Sequence, residues 1–147
     1  MTGDAQRFKA VGVADGKRNG LRWLAAVFFV LAGINHFVMP GFYAQIVPPG
    51  FPSPKTLVIV SGLAEMAAGL GLMIRNTRRA AGWGLLALLV AVFPANIYMA
   101  IDPEGFGISP WILWVRLPMQ GLFAYWVWIV ALSSESHIEH LNERPVP

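Results

Sequence analysis

The 147-residue chain contains no cysteine. That removes disulfides, thiolate nucleophiles, iron–sulfur ligation and thiol relays, so any redox role must borrow its chemistry from a cofactor or partner. Charge is scarce too. Asp, Glu, Lys and Arg make up 13% of the residues, against about 25% in a soluble domain. No basic stripe is interleaved with stacking aromatics, so the formal charge of +3 is not a nucleic-acid footprint. No cofactor motif occurs. A cleaved signal peptide is not expected either: the first apolar run starts late, is too long, and ends in "NHFVMPG" without a small-residue cleavage site.

What the chain has instead is apolar length. Hydrophobic residues make up 56%, and the excess lies in four runs, 21–39, 56–74, 80–101 and 109–132. Crossing a bilayer core of about 30 Å takes roughly 20 mostly apolar helical residues. The runs mostly lack the polar stripe of a helix buried in a soluble protein. They predict an all-α integral membrane protein, a four-transmembrane-helix bundle forming one domain at 21–132, with tails at 1–20 and 133–147. Arg7, Lys9, Lys17, Arg18 and Arg22 precede the first run, Arg75, Arg78 and Arg79 separate the second from the third, and Arg144 lies in the last segment. Basic connections stay in the cytoplasm, which predicts cytoplasmic N- and C-termini. Trp23 and Trp83 then sit at the inner face, and Tyr43, Tyr98 and Trp111 near the outer one. Residues 1–20 read as a basic cytosolic tail, disordered or lying on the membrane.

The first connection, "PGFYAQIVPPGFPSPK", holds five of the eleven prolines. It cannot be helical throughout, and its apolar residues predict a stiff cap on the outer surface, folded over the bundle. Pro94 and Pro118 interrupt the third and fourth runs, freeing the carbonyls of Val90 and Trp114. "NHFVMPGF" and "NIYMAIDPEGF" form a faint internal echo that aligns Asn35 with Asn96; over so few positions, chance explains it.

Each run places a polar residue in its outer half. Counted at about 1.5 Å per residue, His36 lies roughly 5 Å deep, Asn96 roughly 7 Å, Arg116 about 10 Å, Glu65 about 14 Å and Gln120 about 16 Å. A lone charge at mid-membrane costs at least about 2.5–3.5 kcal/mol. Glu65 and Arg116, the ionisable acid and base nearest in depth, are therefore expected to pair or to share a polar cavity. Gly62, Glu65 and Gly69 share one side of the second helix, where glycine permits close helix approach. Arg116 and Gln120 are spaced i, i+4, with Phe123 next along that side. The plainer readings are a structural clasp for Glu65 with Arg116 and an interfacial histidine satisfied by a carbonyl for His36. A metal held by His36 and Glu65 lacks a third ligand, so no metal site is expected. His137 and His140 flanking Glu139 fit a solvated helix end.

"AGINHFVMPGFY", "SGLAEMAAGLGLM", the turn "RNTRR", "FPANIYMAI" and "WVRLPMQ" resemble, in that order, the DoxX-like family of small four-helix bacterial membrane proteins. The resemblance covers roughly residues 21–132. It implies a compact four-helix bundle in the bacterial cytoplasmic (inner) membrane. Members are similar to a subunit of a thiosulfate:quinone oxidoreductase, others associate with detoxifying redox enzymes, and a distant animal branch looks like a receptor-assembly chaperone. Its polar positions fall here on His36, Glu65, Asn96, Arg116 and Gln120.

The leading expectation is an outer-leaflet cavity for an amphiphile, above all a quinone, in a docking or anchoring subunit whose electrons come from a redox partner. Arg116, Gln120 and Asn96 would donate to the quinone oxygens, and Glu65 or His36 would exchange protons. No cofactor is encoded; a bound quinone or lipid is the ligand expected. The catalytic residues, if any, are unknown, and an accessory role is favoured over a stand-alone enzyme. Two alternatives stand beside it: a scaffold or assembly factor without its own ligand, and a membrane isomerase-like enzyme using Glu65 as acid and base. The expected partners are the lipid bilayer, a redox enzyme and another copy of the chain, through Gly71 and the "GWG" at 82–84; nucleic acid is not among them.

Overall fold

The computed structural model describes residues 2–133, with side chains from residue 16 onward. The chain is all-α, and no strand occurs among the described residues. The helices are α1 (Thr2–Val38), α2 (Pro40–Gln45), α3 (Pro54–Gly71), α4 (Arg78–Ile101) and α5 (Pro110–Val127). A 3-10 turn, Pro103–Phe106, joins α4 to α5, and a π-helical turn, Trp128–Leu132, continues α5. The four apolar runs coincide with α1, α3, α4 and α5.

Two boundaries differ from expectation. The first helix does not start with its apolar run: α1 begins at Thr2 and enters that run without a break. No proline occurs before Pro40, and alanine with straight-chain Lys, Arg and Gln favours helix against the cost of Gly3, Gly12, Gly16 and Gly20. Conversely α3 ends at Gly71, three residues before its apolar run does. There the chain reverses in a tight turn, with Met73 N–H donating to the Leu70 carbonyl and Ile74 N–H to that of Gly71. The Thr77 hydroxyl also donates to the Gly71 carbonyl (3.0 Å), and Arg78 Nε to that of Leu72 (3.2 Å). These side chains satisfy the orphaned carbonyls at the helix end. The C-terminal tail, with His137, Glu139, His140 and Arg144, lies outside the described residues.

Small residues set the packing. α1 and α3 run antiparallel, Gly33 against Gly62 and Ala26 against Gly69. A methyl group at Gly33 would stand 2.6 Å from the Gly62 carbonyl oxygen, a separation that only glycine permits. α4 returns antiparallel to α3, with Gly71 against Ala81, and α5 antiparallel to α4, with Gly82 against Ala131. Gly71 and Gly82 are thus engaged inside the chain rather than left for self-association, whereas Gly84 has nothing within 4 Å. The ring closes where Arg22, only 8% exposed, donates from Nε to the Val130 carbonyl in the π turn at 3.0 Å.

The bundle therefore has a basic end, carrying Arg22, Arg75 and Arg78, and a cap end. At the basic end Ala25, Ala26, Phe29, Leu72, Leu85, Val127 and Val130 form a buried core. At the cap end Ile46, just beyond α2, is buried with Met99, Ala100 and Leu113 from α4 and α5. The proline-rich connection is thus folded over the bundle mouth.

The outside is apolar: Leu31, Val60, Val90 and Leu122 are each more than half exposed. Three helices, Gly16–Val38, Arg78–Ile101 and Pro110–Leu132, are long and apolar enough to cross a membrane. An exterior of this kind suits lipid rather than water.

Candidate functional site

Between the buried basic end and the cap lies a cavity of about 490 Å³, within the size range of ligand sites. Phe28, Phe29, Leu85, Leu88, Leu89 and Phe123 supply apolar wall, and Tyr43, Ile46, Val47, Pro48 and Phe51 roof it. Phe28 and Phe123 stack at 4.9 Å between centroids and fill the space between α1 and α5. On the opposite side the lining includes exposed Leu57, Val60 and Ala64 of α3 and Ala91 of α4. The cavity therefore opens sideways between α3 and α4.

His36, Glu65, Asn96 and Arg116, contributed by α1, α3, α4 and α5, all line this space. His36 Nε2 stands 3.5 Å from Glu65 Oε2, and its Nδ1 meets the Val58 carbonyl oxygen at 3.3 Å. A carbonyl only accepts, so Nδ1 carries a hydrogen. Nε2 then faces the carboxyl either as a protonated donor or as an acceptor of the carboxyl proton. The contact therefore joins α1 to α3 through two groups able to pass a proton between themselves or to a guest.

The expected Glu65–Arg116 ion pair is not formed. Among the described residues Arg116 has no hydrogen-bond or ion-pair partner, while sharing the cavity with Glu65. Gln120, expected at the ligand, lies outside the lining. It accepts a hydrogen bond from Asn96 Nδ2 at 2.9 Å and donates from Nε2 to the Leu89 carbonyl. Gln120 thus braces α4 in the turn that Pro94 weakens and orients Asn96 from behind.

Three further residues belong to the site. Tyr43 tilts over the His36 imidazole, 4.1 Å between centroids, and its hydroxyl accepts from Asn35 Nδ2 at 2.9 Å. Ser61 lines the cavity with a buried hydroxyl that has no partner among the described residues. None of the three carries a signal in the sequence beyond an echo at Asn35 that chance explains. No group of three His, Cys, Asp or Glu side chains gathers anywhere among the described residues.

The site thus combines an apolar chamber, a facing imidazole and carboxyl, a guanidinium, and a hydroxyl without a partner among the described residues. No curated protein and no solved structure matches the chain. Residues 24–131, which contain every residue of this site, match the family described as a domain of unknown function, DUF8561, and the chain belongs to that family.

Proposed function

We propose that the protein is a DoxX-like membrane subunit whose cavity binds an amphiphile, with a quinone as the best fit, and anchors or docks a redox partner. The observation that carries this reading is the chamber itself: apolar walls, hydrogen-bonding groups gathered beneath a cap, and a side opening between α3 and α4. A quinone ring presents two acceptor oxygens. Arg116, Asn96 and Ser61 offer donors, and the His36–Glu65 pair offers an exchangeable proton. An isoprenoid tail would leave through the side opening into lipid. Electrons would come from a partner carrying its own cofactor.

This reading places the chain in a bacterial inner membrane with four crossings and both termini in the cytoplasm. α3 spans about 27 Å at 1.5 Å per residue and lies antiparallel between α1 and α4, which supports a fourth crossing. Arg75, Arg78 and Arg79 at one end, opposite a cap whose one basic residue is Lys55, support the orientation.

The test is to extract and identify small molecules from the protein in lipid nanodiscs, with wild type and Glu65→Gln side by side. A quinone enriched over bulk lipid in wild type and depleted in the variant is the expected result. Phospholipid alone, at equal levels in both, would overturn the reading and favour a scaffold in which His36–Glu65 only clasps α1 to α3.

A further inference from the structure

The cavity wall holds an acid and a guanidinium that do not pair. Among the described lining residues Glu65 is the one carboxylate and Arg116 the one guanidinium. They do not meet: the Glu65 carboxyl faces His36 Nε2 at 3.5 Å instead. Arg116 has no acceptor among the described residues. Asp102 and Glu104, in the connection after α4, are exposed and do not line the chamber. The chamber therefore presents a guanidinium to which no described residue offers an ion-pair partner.

Resting on the reading of this chamber as a ligand pocket, we propose that it selects an amphiphile with a single negative charge spread over two oxygens, held by Arg116. Guanidinium presents a planar fork of N–H donors that matches two oxygens side by side and is more weakly hydrated than an ammonium. The Ser61 hydroxyl supplies a further donor to the same chamber. Leu85, Leu88, Leu89 and the stacked Phe28 and Phe123 receive the apolar body. A long-chain carboxylate has this chemistry; the enolate of an acidic 2-hydroxy-1,4-quinone shares its charge between O2 and O4 and offers the fork O2 beside the O1 carbonyl oxygen. A neutral quinone lacks the charge. The competing role for Arg116 is to reach a lipid phosphate at the cap-end rim, in which case it would not discriminate among ligands in the chamber.

The experiment measures equilibrium binding to the full chain in nanodiscs of zwitterionic lipid, with empty discs as blank. The probes are 2-hydroxy-3-dodecyl-1,4-naphthoquinone, its neutral 2-methoxy ether, and palmitate. Wild type is expected to bind the hydroxy compound about tenfold or more tighter than the ether. Arg116→Gln should abolish that preference, and Arg116→Lys, which keeps charge but not the fork, should retain part of it. Equal affinity for the two naphthoquinones, or a preference that survives Arg116→Gln, overturns the charge inference and leaves the quinone reading standing. If neither naphthoquinone binds but palmitate does, dependent on Arg116, the charge inference holds and the quinone reading falls. Binding of none of the three overturns both. Should Arg116→Gln not fold, the wild-type comparison with Arg116→Lys still decides.

Discussion

His36 and Glu65 meet across the α1–α3 interface, Nε2 to Oε2 3.5 Å, beside the line where Gly33 and Gly62 bring the two backbones together. The glycines set the helix spacing and the polar pair sits within it. The contact therefore adds specificity to an interface that packing already holds, and the two contributions are separable by mutation.

Replacing Glu65 by Gln leaves a side chain of similar size that still donates toward His36 Nε2. Stability in detergent or nanodiscs should stay within about 1 kcal/mol of wild type. Glu65→Leu removes the partner of a mostly buried ring nitrogen and should cost about 1–3 kcal/mol. Equal unfolding midpoints for wild type and Glu65→Leu would show that the pair has no structural role.

Gly33→Ala should destabilise the fold by about 1–3 kcal/mol through overpacking, because the new methyl meets backbone, which yields little, as well as the Met66 side chain. Gly84→Ala, with open space around it, should be neutral or slightly stabilising. Thermal unfolding of the two variants against wild type checks the contrast; indistinguishable losses would mean that the α1–α3 approach is looser than described.

The bond from Asn96 to Gln120 links α4 and α5 away from the chamber. A double-mutant cycle with Asn96→Ala and Gln120→Ala should give a coupling of about 0.6–1.7 kcal/mol, the usual range for a hydrogen bond between membrane helices. A coupling near zero would reassign Asn96 to the cavity alone.

Because the chain has no cysteine, single cysteines report sidedness without background. In intact spheroplasts Gln45→Cys, on the exposed side of the cap, should react with a membrane-impermeant maleimide, and Asn76→Cys, in the basic turn, only after permeabilisation. The reverse pattern would invert the proposed orientation, and labelling of both would break the four-crossing topology.

The helices, the cap and the four residues that share the cavity were legible in the sequence, because apolar length, proline content and isolated polar residues are local signals. The partner of Glu65 was not. Counting residues gives the depth of a Cα and places Arg116 nearest, but helical side chains lean toward their own N-terminus. α1 and α3 are antiparallel, so His36 leans toward the basic end and Glu65 toward the cap, and the two converge. Arg116, on α5, leans toward the cap as Glu65 does, from across the chamber. Depth also carries no azimuth, which is why Gln120 fell in the right layer but on the wrong side of the wall. Arg22 reads in the sequence as a topogenic charge. Its bond to Val130 depends on a π-helical turn with no local signature.

The closure of the helix ring at Arg22 has a mechanical consequence. The larger buried cluster and the α3–α4 and α4–α5 glycine contacts lie toward the basic end, whereas toward the cap, where Gly33–Gly62 still holds α1 to α3, the bundle encloses a void bridged by aromatic side chains and a proline-stiffened flap. Stiffness therefore falls along the bundle axis. The molecule is clamped at its base, and the least costly way to part α3 from α4 is to pivot them about the Gly71–Ala81 contact, as the arms of tweezers pivot about their joint, with the base still packed.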